Sequence, residues 1–314
     1  MPRFDAVALG DLNGDLIITR LAGPPVVDTE VLAEAYNLTL GGSTGIFAGV
    51  LGSLGSRVGF VGLIGKDYVG DIVRRRLEAH GVDTAGVIEQ PGQQTGLTAS
   101  LVLGDDRALV TVLGTIAGLK GSDIPWDYIK QAGHLHVGSY YLQTGLRPAL
   151  GEVFAQAKKL GLTTSLDTGW DPAEQWQWPM LAAILPSVDV FLPNETEALH
   201  LTGKHDAESA LTAILEAGAG TVAVKRGGRG SIAGRGADRY IAAPRPAKVL
   251  DTTGAGDSFD AGFIHRFVAG DDLAACLEFA NACGALAVSR VGGADGAPTE
   301  AEVRLFMQRR SQVV

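Results

Sequence analysis

The sequence predicts an α/β fold in which a mostly parallel sheet is covered by helices on both faces. Short apolar runs typical of strands alternate with helix-spaced segments through much of the chain. Three long helical segments then close the sequence. Of its 314 residues, 46% are hydrophobic and 19% are charged, which is the composition of a chain that folds around a core.

Each predicted element follows from a local pattern. Strands are predicted for six apolar runs, at residues 6–9, 58–63, 135–137, 163–166, 188–191 and 221–224. Helices are predicted at residues 43–54, 68–79, 147–160, 207–217, 254–268, 273–288 and 300–309. We find no repeat and no low-complexity linker, so we expect one domain over residues 1–314.

Two regions depart from the alternation. Residues 15–20 form a short strand-like run soon after the first strand, and runs 97–103 and 108–113 indicate a hairpin turning at residues 104–106. Segments at about 12–22 and 93–118 are therefore expected to form a small second sheet, suited to a lid or to a homodimer contact. An ordinary extension of the main sheet fits the same pattern.

Charge and apolar content exclude several classes of protein. The formal net charge is −9, which disfavours binding to nucleic acid and to anionic membranes. The N-terminus has no apolar signal region, and the Gly-rich stretch 46–65 is interrupted by polar residues. Cys276 and Cys283 have neither the spacing nor the companion ligands of a metal site. These features predict a cytoplasmic protein with reduced cysteines.

A glycine-rich turn marks the start of the first closing helix. Gly254, Ala255 and Gly256 precede a phenylalanine stripe with helical spacing. The first N–H groups of a helix have no partner within the helix, and the helix dipole is positive there. Because no bulky side chain covers them, these N–H groups are expected to form an anion hole.

Asp257 stands in the first turn of that helix. We expect the helix N-terminus to keep its carboxylate ionised, ready to accept a proton from an attacking hydroxyl. An anion hole beside a proton acceptor provides what phosphoryl transfer requires. A tight turn with an acid that only complements the helix dipole is the alternative.

Residues 251–263, DTTGAGDSFDAGF, resemble the C-terminal signature of the ribokinase family of carbohydrate kinases, the phosphofructokinase B type. The Gly41-Gly42-Ser43 helix start and the run at 61–70 are similar to the N-terminal signature, and the resemblance covers nearly the whole chain. It implies a ribokinase-like three-layer sandwich with a small β-sheet lid. It also implies ATP-dependent, Mg²⁺-assisted phosphorylation of a monosaccharide hydroxyl, with Asp257 as catalytic base.

The resemblance assigns the sugar site to residues after the first strand and at the first helix. Asp15 is the foremost candidate to bind sugar hydroxyls, with Asp11 and Asn13 beside it. Gly41 and Gly42 are implied to bring their backbone close to the sugar. The residues alone fit a polar turn and a helix cap equally.

The chain departs from the family pattern at Ile46. Many relatives have an asparagine there, four residues after the second glycine, which contacts the sugar. We therefore expect a substrate that is less polar on that side.

A further set of residues is implied to hold ATP and Mg²⁺. Asn194 and Glu197 fit a Mg²⁺ site that acts through water, and they also have the spacing of a capping box. Lys225, Gly227 and Gly230 are similar to the nucleotide loop of the family.

Two later positions complete the predicted site. Asn281 lies where relatives line the adenine pocket, and a mid-helix asparagine has poor helix propensity. Asp251 and the loop 291–297 resemble the region where several relatives hold a monovalent cation, which makes K⁺ a candidate cofactor.

Three alternatives to a sugar kinase stay open at this point. A nucleoside kinase would share these motifs, and Ile46 would suit a base face. A sugar-sensing protein without turnover would keep the fold, although the intact Gly-Ala-Gly-Asp argues against it. A dinucleotide-dependent dehydrogenase is disfavoured because no Gly-x-Gly-x-x-Gly follows the first strand.

Overall fold

The structure is a computed structural model that describes residues 2–103, 106–290 and 292–309. Its strands, in chain order, are β1 (Ala6–Leu9), β2 (Asn13–Leu21), β3 (Ala33–Gly41), β4 (Val58–Gly65), β5 (Asp83–Gln90), β6 (Gly96–Leu103), β7 (Asp106–Val112), β8 (His134–Val137), β9 (Thr163–Leu166), β10 (Val190–Phe191), β11 (Thr221–Lys225), β12 (Ser231–Arg235) and β13 (Asp238–Ala242).

The helices of the same residues are α1 (Ser43–Ser53), α2 (Tyr68–Ala79), α3 (Trp126–Ile129), α4 (Leu150–Lys159), α5 (Trp178–Ala182), α6 (Glu195–Thr202), α7 (Ala207–Glu216), α8 (Ala255–Val268), α9 (Leu273–Ala287) and α10 (Glu300–Arg309). Single 3₁₀ turns occur at Gly114–Ala117, Gly121–Asp123, Arg147–Ala149, Leu185–Ser187, Gly227–Arg229 and Gly293–Gly296. Across the described ranges, no helix is both long and apolar enough to cross a membrane.

The main sheet has nine strands in the order β13-β12-β11-β10-β9-β8-β1-β4-β5. Strands β4, β5 and β8–β11 pair in parallel with their neighbours on the β1 side, while β12 and β13 continue the sheet antiparallel. The prediction of a mostly parallel sheet is confirmed. Because the parallel strands share one direction, their carboxyl ends meet at one edge, where α/β proteins bind ligands.

Helices cover both faces of this sheet, so the predicted three layers are confirmed. Helices α3–α7 enclose one apolar core with Phe154 and Phe191 at its centre. Helices α1, α2 and α8–α10 enclose the other, around Phe47, Phe60 and Phe263. Burying a side chain of this size contributes about 1.5–3 kcal/mol, so the two cores hold the helix ends firmly over the sheet edge.

A second sheet of four strands has the order β3-β2-β6-β7. It contains strands from both predicted lid segments and a further strand, β3, that the sequence analysis did not assign. The first four residues of β3 are exposed, so the strand lacks the apolar alternation on which a sequence-based assignment depends. The turn predicted at Gly104 and Asp105 lies outside the described residues, and Leu103 pairs with Asp106 across the hairpin.

Polar contacts fasten the base of β3 to the main body. The Thr39 hydroxyl donates to Asp295 Oδ2 at 2.6 Å. Arg76 of α2 donates to both carboxylate oxygens of Asp295, at 3.1 and 3.0 Å, and to the Leu38 carbonyl at 3.4 Å. The small sheet is thereby held at its root, beside the start of α1.

Strands β5, β12 and β13 were also not predicted. Each carries charged residues, and β5 and β12 contain an internal glycine. β5 and β13 are edge strands and β12 joins β13 to the sheet, so their sequences are less apolar than those of the central parallel strands. The sequence pattern therefore identified the centre of the sheet and missed its margins.

Two histidines are buried in the centre of the main sheet, on β8. His134 Nε2 and His136 Nδ1 lie 2.7 and 2.8 Å from the same Ser165 hydroxyl, and His134 Nδ1 lies 2.8 Å from the Thr163 hydroxyl. His136 stacks on Phe47 with 3.6 Å between ring centroids. Burial lowers the pKa of both histidines to about 3.

We predict that this pair weakens the fold in acid. A histidine that stays neutral in the folded state but binds a proton when unfolded near pH 6.5 costs stability as the pH falls from about 6.5 toward 3. Replacing both by glutamine should flatten the slope of the unfolding free energy against pH by about 1.4 kcal/mol per pH unit per histidine. Urea unfolding between pH 4 and 6.5 measures this slope.

Replacement of the exposed His205 by glutamine is the matched control. It should leave the slope unchanged. An unchanged slope in the double variant would show that the buried pair does not resist protonation.

Candidate functional site

Two helix N-termini meet at the carboxyl edge of the sheet. Helix α1 begins at Ser43 and packs against α8, which begins at Ala255. The Ser43 hydroxyl donates to Asp257 Oδ1 at 2.5 Å and joins the two helices. Ser43 belongs to the predicted helix start at Gly41-Gly42-Ser43, but its contact with Asp257 joins residues 214 positions apart, and no local pattern reveals it.

Asp11 caps α1 from a distance in the sequence. Its Oδ2 accepts the Ser43 N–H at 3.1 Å and the Ser139 hydroxyl at 2.9 Å, and its Oδ1 accepts the Thr44 N–H at 3.0 Å. Gly42, the residue before the helix, makes no side-chain cap, so Asp11 fulfils that function. The buried carboxylate thus fixes the start of the helix that carries Ser43.

The other predicted sugar-site residues cluster beside this point. Asn13 pairs with Gly41 across β2 and β3, and the Asn13 amide donates to Asp15 Oδ1 at 3.1 Å. A β-carbon at Gly41 would collide with the Asp15 carboxylate. Gly42 has φ 81°, and a β-carbon there would lie 2.7 Å from Asn13 Oδ1. The structure brings all four together where the small sheet meets α1.

A buried lysine lies below Asp257. Lys225 Nζ, at the end of β11, is 2.9 Å from Asp167 Oδ2 and 3.0 and 2.9 Å from the two carboxylate oxygens of Asp260. The exposed side-chain fractions of Lys225, Asp167 and Asp260 are 11%, 7% and 1%. We refer to these three residues as the lysine cluster.

The sequence analysis selected Lys225 but missed both of its acidic partners. Asp167 directly follows β9, at the same sheet edge as the other site residues. Asp260 is three residues after Asp257 and therefore lies on the same side of α8. Both residues could have been selected from the sequence. Asp167 follows a parallel strand and Asp260 follows Asp257 by one helical turn, and each pattern places an acid at the same edge of the sheet.

The cluster shifts the protonation of its members. Burial penalises the charged form of Lys225, but the carboxylates of Asp167, Asp260 and Glu197 outweigh it and raise the pKa of the lysine. Despite burial, Lys225 and hydrogen bonds hold the pKa of Asp167 below its usual value. Burial raises the pKa of Asp260 well above its usual value, with Lys225 opposing that rise.

Asp257 departs from the expectation that the helix N-terminus keeps it ionised. Burial raises the pKa of its carboxyl to about 8, the neighbouring Asp167 acts in the same direction, and the Ser43 hydroxyl and Lys225 oppose the rise. The desolvation cost and the like charge exceed the effect of the helix end. Ionised Asp257 therefore depends on added positive charge at the site.

The predicted anion hole has a defined geometry. Gly254 is the N-cap of α8 with φ 72°, a conformation that favours glycine, and Ser258 N–H makes the first intrahelical bond to the Gly254 carbonyl at 2.8 Å. The Ala255 N–H points back to the Thr252 carbonyl at 3.3 Å. The Gly256 and Asp257 N–H groups precede the first intrahelical bond, so they are the better donors for an anion.

A cavity of about 650 Å³ opens beside this helix start. It is lined by residues predicted for the anion hole, the nucleotide loop and the adenine pocket, namely Ala255, Gly256, Lys225, Gly227, Gly230 and Asn281. Gly227 and Gly230 have positive φ values of 54° and 80°, which explains why glycine occurs at both turns of the loop. The cavity joins these groups of residues into one site.

Asn281 uses its amide to hold the cavity wall together. Its Oδ1 accepts the Ser231 hydroxyl at 2.9 Å, and its Nδ2 donates to the Ala242 and Ala243 carbonyls at 3.3 and 3.2 Å. The residue lines the cavity as expected. Its polar atoms tie α9 to the margin of the sheet.

Asn194 and Glu197 form the reciprocal capping box at the start of α6. Asn194 Oδ1 accepts the Glu197 N–H at 2.9 Å, and Glu197 Oε2 accepts the Asn194 N–H at 2.8 Å. Burial raises the pKa of Glu197 to about 7, and Asp167 adds to that rise while Lys225 opposes it. The cap orients a buried carboxyl toward the lysine cluster.

Asp251 joins the loop before α8 to the late loop. Its Oδ1 accepts the Thr253 N–H at 2.8 Å and its Oδ2 accepts the Gly292 N–H at 3.1 Å. The predicted proximity of Asp251 to residues 292–297 is therefore present, and Val291 lies outside the described residues.

Comparison with known proteins gives consistent results. The model of the pfkB family carbohydrate kinases matches residues 3–300. A 2-dehydro-3-deoxygluconokinase from Bacillus subtilis strain 168 is 29% identical over 99% of this chain and 98% of its own length. An ATP-dependent ribose-1-phosphate kinase from Halopiger xanaduensis is 32% identical over 97% of this chain and 98% of its own.

The fold has a solved counterpart of the same extent. A candidate ribokinase II from E. coli, crystallised with ATP and Mg²⁺, superimposes with a TM-score of 0.87 and 27% identity, over 98% of this chain and 99% of its own. The main sheet, its helices and the small sheet are thus shared with known structures.

We predict that the lysine cluster stabilises the fold as a unit. Lys225→Met leaves buried carboxylates without their cation and should cost about 3–5 kcal/mol of unfolding free energy. Asp260→Asn removes one of two carboxylate partners and should cost less. The double variant should cost less than the sum of the two, because both changes remove the same contact.

Urea unfolding of the four proteins measures this coupling. The control is Lys158→Met, whose partner Asp189 is 2.6 Å away but whose side chain is 40% exposed, and it should cost under about 1 kcal/mol. Additive effects at Lys225 and Asp260 would mean that the two do not act together.

Proposed function

The chain belongs to the pfkB family of carbohydrate kinases, and we propose that it transfers the γ-phosphoryl group of ATP to a hydroxyl of a monosaccharide or a close derivative. As a member of this family it is a phosphotransferase with an alcohol acceptor. The observation that supports the residue assignment is the position of Asp257, at the start of α8 between the cavity and the sugar-site cluster.

ATP fits the cavity by size and chemistry. A space of about 650 Å³ with a glycine loop at one wall and the Lys225 ammonium at one end suits a nucleoside triphosphate. The carboxylate oxygens of buried Glu197 and the amide oxygen of half-buried Asn194 are the hard ligands that Mg²⁺ prefers, and we assign them to it through water. Mg²⁺ would neutralise charge on the phosphates.

The acceptor oxygen attacks the γ-phosphorus in line with the leaving group. A new bond forms between that oxygen and phosphorus, and the bond from phosphorus to the bridging oxygen of ADP breaks. Asp257 accepts the proton of the acceptor hydroxyl, held in place by the Ser43 hydroxyl. At the predicted anion hole of Gly254, Ala255 and Gly256, the N–H groups of Gly256 and Asp257, with Lys225 behind them, stabilise the transferred negative charge.

Asp15, Asp11 and Asn13 are assigned to the sugar, with Gly41 and Gly42 giving it room. The cluster they form stands next to Ser43, which contacts Asp257, so an acceptor hydroxyl bound there can reach the base. Ile46 does not favour a nucleoside, because it is 3% exposed and packs against Gly254 and Gly293. A sugar therefore remains the best-supported acceptor class.

The first prediction of this proposal concerns Asp257. Replacing it with asparagine removes the proton acceptor but preserves its shape, so kcat should fall by about 10²-fold or more while ATP binding changes little. Mg²⁺- and ATP-dependent ADP release measures kcat, with pentoses, hexoses, keto-sugar acids and nucleosides as acceptors. Asp206→Asn, an exposed cap of α7, is the control and should keep full activity.

A kcat that stays near the wild-type value in Asp257→Asn would refute the assignment of Asp257 as the base. A wild-type protein that binds no ATP would contradict the proposed kinase chemistry. Turnover with nucleosides and with none of the sugars would show that the acceptor is a nucleoside.

We also propose a K⁺ site at Asp251. Its carboxylate, bonded to Thr253 and Gly292, lies beside the loop that opens α8 and its anion hole. A cation there would hold that loop in place. Activity in K⁺ should exceed that in Na⁺ severalfold, and Asp251→Asn should remove the difference; equal rates in both salts for the wild type would refute the site.

The small sheet is proposed to form a homodimer contact. β7 is one of its edge strands, and Leu109, Val110 and Val112 are 56%, 60% and 53% exposed. Edge strands with such residues pair readily with another copy. Sedimentation velocity should give a dimer for the wild type and a monomer for Val110→Lys, with Leu160→Lys elsewhere on the surface as control; a wild-type monomer would exclude the contact.

A further inference from the structure

The far end of the 650 Å³ cavity contains an arginine that the proposed chemistry does not use. Arg245 lines the cavity between Pro244 and Pro246, in the segment that follows β13. Only 9% of its side chain is exposed. Arg245 contacts Glu278 of helix α9, and the position of Glu278 along that helix places the arginine away from the anion hole.

Helix α9 lines the cavity, so the residue spacing along this helix measures distances along the cavity wall. A β-carbon at Gly284 would lie 3.3 Å from the Ala255 carbonyl, so this part of α9 touches the phosphate end. Asn281 comes one turn earlier, and Glu278 comes six residues before Gly284. At 1.5 Å per residue, Glu278 lies about 9 Å from the phosphate end, which is the reach of a nucleotide from its phosphates to its base.

Arg245 is fixed at that distance by Glu278. Its Nη2 donates to Glu278 Oε2 at 2.7 Å. Within the described residues, its buried Nε has no hydrogen-bond partner. A guanidinium carries five N–H donors in a rigid fork and no acceptor. The residue is therefore held by one end and has a buried donor available to a ligand.

The amide of Asn281, which was expected to line the adenine pocket, already has hydrogen-bond partners for both of its polar atoms. The N6–H and N7 edge of adenine pairs best with an asparagine or glutamine amide, which offers both a donor and an acceptor. Asn281 commits Oδ1 to Ser231 and Nδ2 to two backbone carbonyls. The remaining charged lining residues, Lys225 and Arg226, stand at the phosphate end near Asp260 and Glu195.

The guanidinium of Arg245 has hydrogen-bond donors and no acceptor, so it is complementary to a base edge that presents acceptors. The O6 and N7 atoms of a 6-oxopurine are both acceptors and accept a bidentate pair from arginine, whereas adenine presents a donor at position 6. We propose that Arg245 reads the base of the nucleotide, and that this pocket accepts the 6-oxopurine nucleotides GTP and ITP at least as readily as ATP. The inference rests on the proposed function of the cavity as the nucleotide site.

Calorimetric titration of the whole protein with ADP, GDP and IDP in Mg²⁺ tests the proposal and needs no sugar. GDP and IDP should bind with a Kd equal to or below that of ADP, and the absence of the 2-amino group in IDP should make little difference. Arg245→Met should raise the Kd of GDP and IDP about tenfold or more. The Kd of ADP should change less than about threefold.

Two further variants separate base reading from other roles. Arg245→Lys keeps the positive charge but loses the planar fork, so it should also lose GDP affinity. Arg239→Met changes an exposed arginine whose hydrogen bonds, among the described residues, go to backbone carbonyls of its own turn and to Thr212, so it should change the Kd of neither nucleotide.

Each contrary result has a distinct meaning. If wild-type protein binds ADP but binds GDP and IDP more weakly than ADP, the inference is wrong and the proposed function stands. If Arg245→Met weakens ADP and GDP equally, Arg245 holds the wall and does not read the base. If neither nucleotide binds, the nucleotide site itself, and the kinase proposal with it, is overturned.

Discussion

The ammonium of Lys225, buried between Asp167 and Asp260, is the interaction on which the rest of the site depends. It joins the end of β11, the end of β9 and the second turn of α8, which are far apart in the sequence. A buried charge costs several kcal/mol unless it is paired and hydrogen-bonded, so this contact is formed only when all three elements are in place. The start of α8, and with it Asp257, is consequently fixed by electrostatics as well as by the apolar core beneath it.

The same arrangement favours the neutral form of Asp257, the proposed catalytic base. Burial and the charge of Asp167 raise the pKa of Asp257, while Lys225 and Ser43 act against that rise. A carboxyl balanced in this way changes its ionisation when the charge around it changes. In the proposed reaction, proton acceptance by Asp257 is therefore coupled to the charge bound at the neighbouring sites, because the neutral form of its carboxyl cannot accept the proton of the acceptor hydroxyl.

The sequence predicted those parts of the site that depend on short-range physics. The Gly-Ala-Gly turn and Asp257 follow from how a helix starts, and the parallel sheet follows from alternation. Asp260 was within reach of the same reasoning, since it is one turn from Asp257. The Ser43–Asp257 bond and the distant cap provided by Asp11 were not, because they join residues that only the tertiary fold brings together. β3 was missed because it is exposed over its first half, and the pKa of Asp257 was misjudged because desolvation cannot be seen in a sequence.

Ile46 of α1 packs between the proposed sugar-site cluster and the start of α8. Its side chain would lie 3.0 Å from a β-carbon at Gly254 and 3.3 Å from one at Gly293. It therefore fills the space that both glycines leave open, and it presses α1 against the N-cap of the anion hole. At the position where the sequence analysis expected an asparagine by resemblance, this chain has apolar packing against the left-handed turn at Gly254. Under the proposed function, selectivity for the acceptor is therefore assigned to Asn13 and Asp15, because Ile46 of α1 packs against the start of the proposed anion hole.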